Sequence, residues 1–143
     1  MYVYGSMNLA ATLVSADICT IDAMKIISQL ATNKEFNKDK DKGIRQVMLD
    51  VLPGPDAYSH CCNKLHITVT QVSPTFIKRA LIISDFQSNE DLAEAVSASC
   101  YIPLWSNMRL TTSFRNTKAI DGGGEFLVSR PSLTESLTLT YSH

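Results

Sequence analysis

The order of apolar and polar positions predicts helices near the start of the chain. Residues Met7 to Val14 are small or apolar and carry no charge, which is typical of a helix buried on all sides. A second, amphipathic helix is predicted by apolar residues that recur three and four positions apart, with either Thr20 or Asp22 as its cap. The apolar stripe of that helix consists of Ile21, Met24, Ile26, Ile27 and Leu30.

Two β-branched runs predict strands in the middle of the chain. Leu65 to Thr70 and Ala80 to Ser84 have the composition of half-buried or buried strands, and Pro74 lies in the connection between them. We therefore expect both runs to belong to one sheet. Met1 to Tyr4 is typical of the end of a buried strand, and the alternation in Leu137 to Tyr141 predicts a last edge strand.

Two further helices and one charged segment complete the pattern. Ile44 to Leu52 is amphipathic and is ended by Pro53-Gly54-Pro55. Ser88 to Asp91 has the form of a capping box before a helix that should run to about Ser99. Lys34 to Arg45 carries five cations and three anions, which predicts a solvated loop; a lipid-surface patch is the alternative, although the mixed signs cancel most of the attraction.

Composition limits the class of protein. A chain of 143 residues is long enough for one domain, and 45% apolar with 19% charged residues is a globular balance. Thirteen basic against 14 acidic residues provide no basic field, so nucleic acid is not an expected partner. No apolar run reaches the length of a membrane-spanning helix and no signal-peptide pattern is present, so we expect a soluble, cytoplasmic chain.

The four cysteines indicate a reducing compartment. Cys19, Cys61, Cys62 and Cys100 fit neither the spacing of a metal site nor a dense disulfide framework. The adjacent residues Cys61 and Cys62 cannot readily adopt relaxed disulfide geometry with each other. We therefore expect thiols that form no disulfide, and no bound metal.

Two residues are candidates for chemistry, and each also has an ordinary structural interpretation. Ser6 lies where an apolar segment turns into the first helix, so it is either an N-cap or a hydroxyl exposed at a helix N-terminus. Asp121 stands directly before Gly122, Gly123 and Gly124, and an Asp-Gly pair by itself usually marks a turn. The residues alone leave both interpretations open.

Three blocks of sequence together resemble the patatin-like phospholipase family. Gly5 to Val14 looks like the G-x-S-x-G elbow of that family with its small-residue helix. Leu65 to Thr70, together with Ser88 to Trp105, is similar to the corresponding segments of its adipose triglyceride lipase-like branch. Ile120 to Gly123 is similar to the Asp-Gly-Gly/Ala motif of the family. The blocks occur in the family's order and span nearly the whole chain.

The resemblance implies a fold and a site. The fold is a three-layer α/β/α domain with a mainly parallel central sheet, present over 1–143 as a single partial domain that lacks the first strand. The chemistry is hydrolysis of lipid acyl esters by Ser6 as nucleophile and Asp121 as base, without a cofactor and with peripheral contact to lipid droplets or membranes. Six residues would line the acyl pocket, and three glycines would complete the motifs: Cys100, Tyr101, Ile102, Pro103, Leu104 and Trp105, with Gly5, Gly122 and Gly123.

Departures from the family pattern predict an impaired hydrolase. Tyr4 and Asn8 stand where the elbow has glycine on either side of its serine, and their side chains should displace Ser6. Only five residues precede Ser6, which leaves no room for the loop that supplies the oxyanion-hole glycines. One alternative is a non-catalytic domain that keeps a lipid- or protein-binding face. Another is an unrelated α/β domain with a chance Asp-Gly-Gly.

Overall fold

The computed structural model describes residues 6–32, 39–75, 77–104 and 106–122. The predicted strands Met1 to Tyr4 and Leu137 to Tyr141 lie outside these residues. The described helices are α1 (Ser6–Ser15), α2 (Thr20–Thr32), α3 (Lys40–Val51), α4 (Ala57–Cys61) and α5 (Asn89–Ser99), and the strands are β1 (Ile67–Val72), β2 (Lys78–Ile83), β3 (Thr112–Phe114) and β4 (Thr117–Asp121).

The four described strands form one sheet in the order β2-β1-β4-β3, which confirms that the two β-branched runs share a sheet. All three strand pairs are antiparallel. The described strands therefore do not form the mainly parallel central sheet that we expected. For two of the three pairs the physical reason is the length of the connection: residues 73–77 join β1 to β2, and the two residues Arg115 and Asn116 join β3 to β4. Connections this short can join only antiparallel neighbours.

The turn between β3 and β4 explains how so short a connection closes. Arg115 and Asn116 have φ angles of 44° and 61°, as a two-residue hairpin turn of type I′ requires. Neither residue is glycine, although asparagine tolerates this region better than most. Sequence pattern alone did not predict β3.

Helix α5 contacts both the sheet and other helices. It contacts β1, β3 and β4, and it also contacts α1, α3 and α4. The sheet residues that join its core are Ile67, Val69, Ile83, Phe114 and Ala119. These residues share one face of the sheet according to the strand register. The described residues therefore confirm an α/β class, with helix α5 packed on that face.

A buried polar network joins α3, α5 and β3. The Asp41 carboxylate is 9% exposed, accepts a hydrogen bond from Thr112 Oγ1 at 2.8 Å and also accepts one from the Ser97 hydroxyl. Arg45 Nε lies 3.6 Å from the same carboxylate. A buried carboxylate is tolerated only when such partners replace water.

The same network corrects the prediction of a solvated loop over Lys34 to Arg45. Helix α3 begins at Lys40, and the Asp39 carboxylate caps it by accepting a hydrogen bond from Lys42 N at 3.2 Å. The loop prediction is therefore wrong from Lys40 onward, because a local cap and the distant partners of Asp41 outweigh the density of charge. Residues 33–38 lie outside the described residues.

The first two helices lie where the pattern placed them, but their burial differs. Val14 is 47% exposed, so α1 is not buried on all sides. In α2, Ile21 and Met24 are 64% and 67% exposed, whereas Ala23 is 1% exposed and Ile26 packs against the core. The apolar stripe was therefore assigned too widely, because part of it faces away from the described core.

A cation from the β3–β4 turn holds the start of α5. The N-cap predicted at Ser88 is confirmed, since Ser88 Oγ accepts from Asp91 N at 3.1 Å; Asp91 Oδ2 accepts from Gln87 N at 3.1 Å, one residue before the N-cap. Arg115 donates to the two carboxylate oxygens of Asp91, from Nε at 2.9 Å and from Nη2 at 2.7 Å. These hydrogen bonds hold the pKa of Asp91 below its ordinary value.

The Asp91–Arg115 pair should contribute stability only where Asp91 is ionised. Because the pKa of Asp91 is lower in the folded than in the unfolded chain, the contribution is complete above pH ~4 and is lost as pH falls through the folded pKa. We expect Arg115→Gln to lower the free energy of unfolding by about 0.5–1 kcal/mol at pH 7, allowing for solvent screening.

Urea unfolding at pH 7 and at pH 3 measures this effect. The difference between wild type and Arg115→Gln should shrink at pH 3, whereas the exposed control Arg79→Gln should differ little from wild type at either pH. An equal loss at both pH values would contradict the assignment to the ion pair.

Candidate functional site

Asp121 is held at the end of β4 by partners on both sides. It pairs with Val69 of β1 in the strand register. On the other side β3 accompanies β4 only as far as the pair Thr112 and Ala119. Beyond that point Asp121 N donates a hydrogen bond to Tyr101 O at 2.9 Å, so the segment after α5 replaces β3 as the neighbour. This arrangement fixes the backbone that carries the candidate carboxylate.

Gly122 is required by a close approach of two strands. A Cβ atom at this position would lie 2.3 Å from Thr68 O, far inside van der Waals contact. Backbone atoms cannot move aside as a flexible side chain can, so only glycine fits here without a shift of β1 or β4. The Asp-Gly pair at the end of β4 therefore has a packing reason in addition to its resemblance to a motif. Gly123 lies outside the described residues.

Tyr101 anchors the segment that binds Asp121. Its side chain is 1% exposed, and its hydroxyl lies 2.5 Å from Asn107 Oδ1 and 2.9 Å from Arg109 O. Burial raises the pKa of this phenol above its ordinary value, so it stays protonated and can donate to either acceptor. Tyr101 therefore serves packing and loop closure.

Cys100 lies beside the candidate carboxylate as a neutral thiol. Burial raises the pKa of Cys100 to about 12; the hydrogen bond with Ser99 lowers it, and the negative charge of Asp121, the smallest of the three effects, raises it. A thiol with so high a pKa is a poor nucleophile at neutral pH. Cys100 is therefore an uncharged neighbour of the Asp121 carboxylate and not a second reactive group.

Three further residues of the predicted acyl pocket lie at the surface. Ile102 and Leu104 are 47% and 53% exposed, and Pro103 is also exposed. Trp105 lies outside the described residues. The five described residues thus divide into Tyr101 with its neighbour Cys100 and the exposed segment Ile102 to Leu104. Their role in acyl binding stays a prediction.

Ser6 begins α1, as the sequence predicted. Helix α1 contacts α5, the helix that leads to Tyr101 and hence to Asp121. The side chains of residues 6–9 and the whole of Gly5 lie outside what the structure describes. The Ser6–Asp121 dyad therefore stays a prediction.

A second polar site was not found from the sequence. His60 Nδ1 lies 3.0 Å from Asp17 Oδ2, beside a cavity of about 390 Å³ that Pro53, Gly54 and Pro55 help to form. His60 lies in α4. In the described part of the chain, no three His, Cys, Asp or Glu side chains converge as a metal site would require. The sequence offers only a weak indication of this site, because Pro53-Gly54-Pro55 by itself indicates only the end of a helix.

All four cysteines are thiols without a disulfide, as predicted. At pH 8 we expect the exposed Cys19 to react rapidly with a thiol reagent, whereas Cys61 and Cys100 react slowly. Burial raises the pKa of Cys61 to about 11 and that of Cys100 to about 12, so both are protonated as well as shielded.

Titration with Ellman's reagent, with and without denaturant, checks this prediction. The unfolded chain should yield four thiols, and Cys19→Ser should remove the fast native phase. A denatured count of two or fewer, or a native reaction of all thiols at one rate, would contradict the assignment.

Substitution of Gly122 tests the packing at the end of β4. We expect Gly122→Ala to lower the free energy of unfolding by about 1–3 kcal/mol or more, since the added Cβ must displace backbone. Gly54→Ala is the control, because Gly54 has a φ of 109° with open space around it and therefore reports backbone strain alone, about 1 kcal/mol. Equal losses in urea unfolding would show that the contact with Thr68 is not decisive.

Known proteins with related sequences identify the family. No protein-family model and no solved structure matches the chain. The omega-hydroxyceramide transacylase of Mus musculus is 31% identical over 97 residues, which cover 68% of this chain and 15% of the relative. The 1-acylglycerol-3-phosphate O-acyltransferase Pnpla3 of Mus musculus is 32% identical over 102 residues, which cover 71% and 23%.

A third relative carries the family in its name. Patatin-like phospholipase domain-containing protein 4 of Homo sapiens is 30% identical over 80 residues, which cover 56% of this chain and 30% of the relative. The matched residues thus span less than a third of the length of each of these relatives. The matches confirm what the sequence blocks around Ser88 and Asp121 indicated: the chain belongs to the patatin-like phospholipase family.

Proposed function

We propose that this chain is a single, partial patatin-like domain of a lipid acyl hydrolase or acyltransferase, with Ser6 as nucleophile and Asp121 as base, and that its catalysis is weak. One observation carries the proposal. Asp121 stands at a strand end where Val69 and Tyr101 hold its backbone and where Gly122 admits no side chain. An acid fixed in this way suits a catalytic base better than a flexible turn would.

The proposed reaction has two steps. Ser6 Oγ attacks the carbonyl carbon of a lipid ester while its proton passes to the Asp121 carboxylate. The bond to the leaving alcohol then breaks, and that alkoxide takes the proton from Asp121. In the second step water, or the hydroxyl of another lipid, gives its proton to Asp121 and attacks the acyl-Ser6 ester. The bond between the acyl carbon and Ser6 Oγ then breaks, Ser6 Oγ takes the proton back from Asp121, and a fatty acid or a new ester is released.

A lipid hydroxyl is included as an acceptor of the acyl group because of the names of the related proteins. Their names describe a transacylase of omega-hydroxyceramide and an O-acyltransferase of 1-acylglycerol-3-phosphate. In both names an acyl group moves to an oxygen, so we extend the same chemistry to this chain. None of the described helices has the length and apolar character needed to cross a membrane. We propose peripheral, cytoplasmic contact with lipid droplets or membranes.

A non-catalytic domain is the second candidate, and two residues favour it. Tyr4 and Asn8 occupy the positions that are glycine in the G-x-S-x-G elbow. Glycine permits the strained, close turn that presents the serine, whereas a phenol ring and an amide both need space. A chain with this elbow keeps the fold and its surfaces but positions Ser6 poorly.

Glycine restoration distinguishes the two candidates. We expect the wild-type chain to label weakly with a fluorophosphonate and to hydrolyse a short-chain ester poorly. The variant Tyr4→Gly/Asn8→Gly should label at least about tenfold faster, because the serine then reaches the near-attack distance of about 3–3.5 Å. Addition of Ser6→Ala to that variant should abolish labelling, and Asp121→Asn should lower it by about 10²-fold or more.

The labelling results distinguish a catalytic domain from a non-catalytic one. Circular dichroism confirms that each variant is folded, and Ser59→Ala serves as a control at an exposed serine outside the proposed dyad. Robust wild-type labelling that disappears in Ser6→Ala would show that the elbow is intact and that impairment is wrong. Absence of labelling in the folded glycine variant would overturn the dyad and favour the non-catalytic domain.

A further inference from the structure

We propose that the exposed loop formed by residues 102–104 and 106–110, hereafter the apolar loop, binds the surface of a lipid bilayer or monolayer. The inference rests on the proposed function, because an enzyme of lipid esters must meet its substrate at an aggregated lipid surface. It goes further by naming the residues that make the contact and the composition of the surface that they favour.

Exposure is the first observation. Four large apolar side chains in the loop are accessible to water: Ile102 at 47%, Leu104 at 53%, Met108 at 81% and Leu110 at 62%. Single exposed apolar residues are ordinary, but four within nine positions form a concentrated patch. A concentration of exposed apolar side chains is typical of a surface that contacts a membrane or another apolar partner.

Part of the backbone of the loop is paired internally. Leu104 N donates to Arg109 O at 2.8 Å, and Ser106 N donates to Ile102 O at 3.0 Å. In return Ile102 N donates to Ser106 Oγ at 3.0 Å, and the buried Tyr101 hydroxyl lies 2.9 Å from Arg109 O. Polar backbone groups that are already paired can approach hydrocarbon without the cost of losing water.

The conformation of the loop directs apolar residues outward at a cost. Leu104 and Met108 have φ angles of 64° and 61°, in the left-handed region that is unfavourable for side chains of this kind. Neither glycine nor asparagine, the residues that adopt this region readily, is present at either position. Strain that persists at two exposed apolar residues indicates a function for their placement.

Charge identifies the kind of lipid surface. Between positions 95 and 120 the sequence contains three cations, Arg109, Arg115 and Lys118, and no acidic residue. Arg115 is engaged by Asp91, whereas Arg109 and Lys118 are exposed. Arg109 lies between the exposed residues Met108 and Leu110, so an inserted loop would carry its guanidinium at headgroup depth. This arrangement favours anionic lipid.

The loop is also connected to the candidate site. Its first anchor, Tyr101, accepts the hydrogen bond from Asp121 N at 2.9 Å. A lipid surface that contacts the apolar loop therefore lies next to the carboxylate proposed as the base. Binding and chemistry would share one end of the sheet.

Vesicle sedimentation of the full chain tests the proposal. The probes are vesicles of phosphatidylcholine alone and of phosphatidylcholine with phosphatidylserine. The variant Leu104→Ser/Met108→Ser/Leu110→Ser should lower the partition coefficient at least about tenfold on both, because three apolar side chains no longer leave water. Arg109→Gln should remove most of the additional binding that phosphatidylserine produces, and added salt should act in the same direction.

A matched control separates the loop from general hydrophobicity. Ile21→Ser/Met24→Ser/Ile77→Ser removes three apolar side chains of similar exposure elsewhere on the surface and should bind as the wild type does. Thermal unfolding verifies that both triple variants are folded. Equal binding by the two triple variants, or no binding of the wild type, would overturn the proposal. Self-association of the wild type that the loop variant loses would overturn it as well, in favour of a second copy of the chain as the occupant.

Failure of this inference is distinguishable from failure of the proposed function. Binding is measured without turnover, and Ser6→Ala should bind vesicles as the wild type does. Normal vesicle binding by a glycine-restored chain that never labels would overturn only the dyad. Labelling of that chain together with absent vesicle binding would overturn only the apolar loop.

Discussion

The close packing of helix α5 against both the sheet and α3 is the constraint on which the described structure depends. From Leu92 to Ser99 every residue except Glu94 is buried, and most of them are alanine or serine. Small side chains let neighbouring backbones approach, and larger ones would force them apart. The one buried serine that faces α3, Ser97, is satisfied by Asp41. At this position the polar atom in the core is therefore satisfied by a residue that is distant in sequence.

The geometry of the candidate site follows from this packing. Helix α5 ends at Ser99, and two residues later Tyr101 is buried and holds the backbone of Asp121. Gly122 then passes so close to Thr68 that no side chain fits. The acid thus owes its position to a helix, a strand and a loop that are distant in sequence. The same loop pairs part of its backbone internally and exposes four apolar side chains, and the proposed contact with a lipid surface rests on this arrangement.

The sequence identified many residues of the candidate site, but it did not predict how they are arranged in space. Asp121 and Gly122 were recognised through a resemblance, yet the sequence offered no reason why the glycine is needed there. That reason is a carbonyl 54 positions earlier, at Thr68. Cys100 and Tyr101 were assigned together to an acyl pocket, although burial makes Tyr101 an anchor of the core. Roles of this kind depend on contacts that no local pattern encodes.

The sequence by itself determined which segments become helix or strand where the signal is local: the β-branched runs of β1 and β2, and the cap of α5 at Ser88. A cap or a β-branched run acts within a few residues, so it can be recognised without the fold. Only the tertiary structure decided the antiparallel order of the strands, the outward faces of Ile21 and Met24, and the burial of Asp41. Pairing and burial are set by residues far apart in the chain, and their free energy exists only after those residues have met.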